Sequence, residues 1–158
     1  MNFEINVKAD GTAVVTKITD PESFIIIPAL LEGHTVNEVG NNIFPEDAKD
    51  KVTDLILPQT IRKVDSHAFD GLLKLKTLIL NEGLEEIGAF GIFNCSSLVQ
   101  IYVPATVKAI GNSATGFTGK DNAPCIQQNF TLICDKDSAA EKYCTENKIN
   151  YKTKLIMA

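Results

Sequence analysis

The chain has no tryptophan and only three tyrosines among its 158 residues. Flat aromatic platforms for stacking sugars are therefore scarce, and a carbohydrate site would have to rely on a side chain such as Tyr102 or Phe117. Clustered positive charge is missing as well. The 15 Lys and Arg are outnumbered by 20 Asp and Glu, for a formal charge of −5, and a run such as Lys74-Leu75-Lys76 is too short to make a basic patch. A surface for nucleic-acid phosphates is not expected. Apolar stretches such as Phe24-Ile25-Ile26-Ile27 fall far below the roughly 20 residues that cross a bilayer, so no membrane span is expected. The opening Met1-Asn2-Phe3-Glu4-Ile5-Asn6 alternates apolar and polar residues and lacks the continuous apolar region of a signal peptide. Either the protein stays in the cytoplasm or a leader has been removed.

Cysteine is sparse and irregular: Cys95, Cys125, Cys134 and Cys144 are separated by 30, 9 and 10 residues. That spacing suits neither a disulfide framework nor a zinc site, which needs ligands paired two to four residues apart, and the four read mainly as buried thiols. Cys134 and Cys144 are the pair that a short strand-to-helix connection could bring together for oxidation. Catalytic patterns are missing too. Asp65-Ser66-His67 holds the residue types of a hydrolytic triad, but sequence neighbours cannot converge on one another with the required geometry, so His67, like His34, reads as a surface turn residue. There is no serine elbow, phosphate-binding glycine loop or helical zinc pair. Asp20, Glu22, Asp47, Asp50, Asp121 and Asp135 do not fall into a calcium-loop pattern. Glu85 and Glu86 resemble paired glycosidase carboxylates only until Arg62 and Lys108 are seen at the matching positions of adjacent units. No catalytic residue, cofactor or metal is expected.

What the chain does have is an internal repeat. Leu55-Ile56-Leu57-Pro58, Leu78-Ile79-Leu80-Asn81 and Ile101-Tyr102-Val103-Pro104 follow one another at intervals of 23 residues. The same register carries Ile61, Leu84 and Val107, then Val64, Ile87 and Ile110, then Asp65, Gly88 and Gly111. Leu75 and Leu98 lie three residues before the next strand, completing the L-x-x-L-x-L pattern of a leucine-rich repeat. An earlier, longer unit starts at Ile25-Ile26-Ile27-Pro28, and its Val36, Val39 and Phe44 return to register after an insert. Residues 130–134 read as a last strand after an irregular segment, 115–128, that lacks the repeat's apolar positions.

Taken together, I-x-I-P, the apolar-x-x-I-G motif at Val107, Ile110 and Gly111, Ala68-Phe69, and Cys95 with Leu98 resemble the BspA-like leucine-rich repeats of bacterial and some protist surface proteins. Ala-Phe becomes Gly91-Ile92 and Ala114-Thr115 in later units, which departs from that pattern. The resemblance implies a mainly β fold: a right-handed leucine-rich-repeat solenoid of about four to five coils with short parallel strands. Residues 3–18, with Asp10-Gly11 between alternating segments, predict an N-terminal capping β-hairpin. Residues 137–148 predict a C-terminal capping helix, because Ser138 and Glu141 form a capping box and Ala140, Tyr143, Cys144 and Asn147 share a face. One domain is expected over 1–158. It comprises a cap at 1–24, repeats at 25–54, 55–77, 78–100 and 101–131, and the last strand and helix at 132–158.

Strand alternation sets the outward surface. With Leu55 and Leu57 inward, Ile56 points out, and so do Ile79, Tyr102, Ile26 and Ile133. Repeats of the resembling family usually place a small polar residue here, so an aligned apolar stripe is a candidate protein-binding or self-association surface; covered β-formers are the plainer alternative. The outward pairs Asn37-Glu38, Arg62-Lys63, Glu85-Glu86 and Lys108-Ala109 are expected to form cross-unit ion pairs that set the register. The resemblance implies a secreted or cell-surface module that binds a host or extracellular protein. A carbohydrate-binding module and a structural spacer in a larger surface protein are the alternatives.

Overall fold

A computed structural model describes residues 1–154; the residues 155–158 that close the last expected segment lie outside it. The chain opens as expected with antiparallel β1 (Asn2–Val7) and β2 (Ala13–Thr19), whose turn is tied by Asp10 accepting from the Thr12 amide. The first repeat unit follows, with β3 (Phe24–Ile26), β4 (Leu30–Leu31) and β5 (His34–Val39); β4 folds back antiparallel on β5. After a short 3-10 turn at Glu46–Ala48, the next units supply β6 (Asp54–Ile56) and β7 (Lys63–Val64), β8 (Thr77–Ile79) and β9 (Glu86–Ile87), and β10 (Gln100–Val103) and β11 (Ala109–Ile110).

Each unit thus contributes one strand to each of two sets of parallel strands. The second set joins the N-terminal hairpin in one sheet, β1-β2-β5-β7-β9-β11. The first forms β3-β6-β8, with Leu55 opposite Leu78 and Ile56 between Ile26 and Ile79. The apolar columns of the sequence are the core between the sets: Ile25, Leu55, Ile61, Val64, Phe69, Leu75, Leu84, Ile87 and Phe93 have no exposed surface. The glycine after Ile87 and Ile110 is explained by stacking. A Cβ on Gly88 would stand 2.5 Å from the Ser66 amide nitrogen, and one on Gly111 would stand 2.4 Å from that of Ala89. Only glycine lets the backbones of adjacent units approach this closely.

Three features depart from the sequence expectation. The 23-residue spacing does not yield one continuous first ladder: β8 and β10 are not hydrogen-bonded, and β10 belongs to a second sheet with β14 (Thr131–Cys134). The segment read as irregular holds a hairpin, β12 (Phe117–Lys120) with β13 (Ala123–Ile126). Its strands show no alternation because Phe117 is their one buried residue, so backbone pairing rather than a core-facing stripe defines them. Finally, the helix α1 (Ala139–Asn147) is followed by β15 (Tyr151–Thr153), which adds a third parallel strand beyond β14. The helix itself forms where its signals lie. Ser138 Oγ accepts from the Glu141 amide at 3.2 Å, Ala140, Tyr143 and Cys144 are buried, and Lys148 ends it in the left-handed region.

Candidate functional site

The outward row of the first ladder is set by register. Ile26, Ile56 and Ile79 are direct partners across β3, β6 and β8, and Tyr102, Ile133 and Lys152 are partners across β10, β14 and β15. Ile26 is 57% and Ile79 49% exposed, whereas Ile56, Tyr102 and Ile133 are half-buried. Phe24, two residues before Ile26 on the same strand and 50% exposed, widens the apolar area at the β3 end. Between Ile79 and Tyr102 the unpaired strands leave a groove of about 290 Å³ lined by Leu78, Leu80 and Ile101.

Tyr102 closes this groove with its own polar contacts. Its hydroxyl lies 3.0 Å from Asp135 Oδ2 and 3.3 Å from Glu82 Oε1, and Lys154 Nζ stands 4.9 Å from the ring centre. Burial raises the phenol's pKa, with the two carboxylates adding to the effect, so the hydroxyl stays a proton donor. Phe117, the other residue considered for sugar stacking, is buried at 9% exposure and has no free ring face to offer.

On the second ladder, two of the expected cross-unit ion pairs form, Arg62–Glu85 at 3.6 Å and Lys63–Glu86 at 3.3 Å. The third does not. Lys108 turns to the Ala105 carbonyl of its own unit at 2.8 Å, a local hydrogen bond that replaces a pairing with Glu85. Contact with Glu86 raises the pKa of Lys63. The cysteines are free, and Cys134 and Cys144 are buried thiols rather than a bonded pair. Burial pushes Cys95 and Cys144 up to about 12 and raises Cys134 as well. Such thiols are poor nucleophiles at neutral pH.

A polar cluster that sequence reading passed over lies in the turns after the second ladder. His67 does not meet Asp65 and Ser66 in any triad. Its Nδ1 stands 2.8 Å from Asp70 Oδ2 and its Nε2 3.6 Å from Asp121 Oδ2, a residue of the β12–β13 turn. The imidazole stacks on Phe90, with centroids 5.1 Å apart and planes 8° from parallel. This stacking follows from the repeat: Asn42, His67, Phe90 and Ser113 occupy one column, each in the left-handed region with φ between 43° and 58°. The cluster borders a cavity of about 820 Å³ that Glu46, Lys49 and Asp50 also line.

No curated protein sequence matches the chain. Among solved structures it is similar to a leucine rich cell surface protein from Faecalibacterium prausnitzii A2-165, with a TM-score of 0.65 and 24% identity over 86% of this chain and 38% of that one. A leucine-rich repeat protein from Bacteroides capillosus ATCC 29799 gives 0.69 and 20% over 84% and 94%, and the leucine rich repeat protein of T. pallidum gives 0.61 and 24% over 83% and 68%. The chain spans less than two fifths of the F. prausnitzii protein's length, and at these identities the likeness shows the fold. The family model for the BspA type leucine rich repeat region matches six copies over residues 35–153, the stretch in which the stacked strands and their glycines recur, and the chain belongs to that family.

Proposed function

We propose that the chain is a non-catalytic protein-interaction module at a bacterial cell surface, contributing to adhesion or to binding of a host or extracellular protein. The observation that carries this reading is the in-register row Ile26–Ile56–Ile79, with its outer members half exposed where water would favour polar side chains. Tyr102 and Ile133 extend the contact surface across the groove. In this reading the two sets of strands wind as a right-handed solenoid of four to five coils in one domain, capped by the β1–β2 hairpin and by α1. Surface placement is supported by the family and by the F. prausnitzii neighbour, described as a cell surface protein. Among the described residues no helix is long and apolar enough to cross a membrane.

A triple replacement, Ile26→Thr, Ile56→Thr and Ile79→Thr, tests the proposal because these side chains point away from the core. Proteins captured by the parent chain from mucosal or extracellular-matrix extracts are identified, then measured against both forms by surface plasmon resonance. A loss of affinity of at least tenfold, with an unchanged melting profile, is expected. Equal affinity removes the row from the binding surface, and a fall in oligomeric mass in the variant alone identifies the row as a self-association face instead.

A further inference from the structure

We propose that His67, Asp70 and Asp121 form a site for a divalent transition-metal cation of the zinc class, which ties the β12–β13 hairpin to an earlier repeat unit. One donor atom from each residue lies within 4.8 Å of the others, although Asp121 is remote from the other two in sequence.

The protonation pattern follows from the distances. At 2.8 Å, His67 Nδ1 and Asp70 Oδ2 need a proton between them, so Nδ1 donates and Asp70 accepts. In the neutral ring Nε2 then carries its lone pair, and it faces Asp121 Oδ2 at 3.6 Å. In that neutral form two acceptors face each other across a gap too long for a hydrogen bond. The gap is close to the separation of two ligands held by one ion at bonds of ~2.0–2.2 Å. A carboxylate on the far nitrogen of a metal-binding imidazole fixes its tautomer and orientation, which is the role open to Asp70.

Both sides of the site are held in place independently of a metal. Phe90 supports the imidazole from the next unit. Asn94 grips the hairpin through both ends of its amide, accepting from the Gly119 amide at 2.8 Å and donating to the Gly119 carbonyl at 3.0 Å. Asp121, two residues further on, is thereby delivered to His67. The adjoining cavity leaves room for water ligands, and its Asp50 adds negative potential, while the charges of Lys49 and Glu46 offset one another in an ion pair at 2.8 Å. One imidazole and one carboxylate, with Asp70 orienting the ring from outside and water completing the shell, suits zinc, nickel or cobalt better than calcium or magnesium, which prefer all-oxygen shells.

The test is isothermal titration of tag-free, chelator-treated full chain with Zn²⁺. One ion per chain is expected. His67→Asn should lower affinity at least tenfold, and the variant should fold, because Asn42 holds the same left-handed position in the preceding unit. Asp121→Asn should do the same, and Asp70→Asn should cost about 10- to 100-fold. Cys125→Ser, which removes the exposed thiol of the hairpin, should change nothing. As a second readout, Zn²⁺ should slow amide exchange across residues 117–126 in the parent and not in Asp121→Asn. Absence of saturable one-to-one binding overturns the proposal, as does binding that survives His67→Asn and is lost in Cys125→Ser.

Discussion

Gly88 and Gly111 face the backbone of the unit before them, and backbone cannot rotate aside as a side chain can. Gly88→Ala should therefore destabilise the fold by about 1–3 kcal/mol, the usual range for overpacking, read as a lower urea midpoint. The requirement for glycine was visible in the sequence as the recurring Ile-Gly, because close approach leaves a compositional mark. The left-handed column Asn42, His67, Phe90 and Ser113 was not visible, since one backbone state is filled there by four different residue types. The placement of His67 was lost with it. Thiol environments sort the cysteines further. Cys125 alone is exposed, so a disulfide-exchange reagent at pH 8 should titrate one thiol in the native chain and four after unfolding.

At the scale of elements, local signals decided what could be read in advance. The helix announced itself through Ser138, Glu141 and a buried face, and Ser138→Ala should cost about 1 kcal/mol, measured by thermal or urea unfolding. Its Tyr143 hydroxyl, which donates to the Thr115 carbonyl at 2.7 Å, fastens the helix to the chain leading into the hairpin. The hairpin had no such signal, because a single buried Phe117 gives no period to detect. It depends instead on contacts remote in sequence. Asn94→Ala removes both bonds to Gly119, and amide exchange over residues 117–126 should speed up while that over β6 and β8 stays slow. Equal acceleration in both regions would show that the hairpin is not a separately opening unit. β15 was equally hidden, as Tyr151–Thr153 is short and only its first residue is partly covered.

Across the whole molecule, titratable groups buried in the repeat core and under the helix set a pH limit. Burial raises the pKa values of Cys95, Cys144 and Tyr143 above their ordinary values. A group whose folded pKa is raised contributes its full stability below the unfolded value, and that contribution falls as pH climbs toward the folded value. For the two thiols this window runs from 9.0 to about 12, so the urea midpoint should decline across it. Cys95→Ala should show a shallower decline than the parent. The period and the outward direction of Ile26, Ile56 and Ile79 followed from alternation and spacing. The break between β8 and β10 did not, since Leu78 and Ile101 keep the same 23-residue interval as Leu55 and Leu78. Photocrosslinking is the most direct test of a module that binds through its first-ladder face. A photoreactive amino acid is placed at position 56, in the middle of the outward row, or at exposed position 85 beside the second ladder, and each form is exposed to the captured partner. Adducts from position 56 with few or none from position 85 are predicted; adducts from position 85 with none from position 56 would contradict the reading.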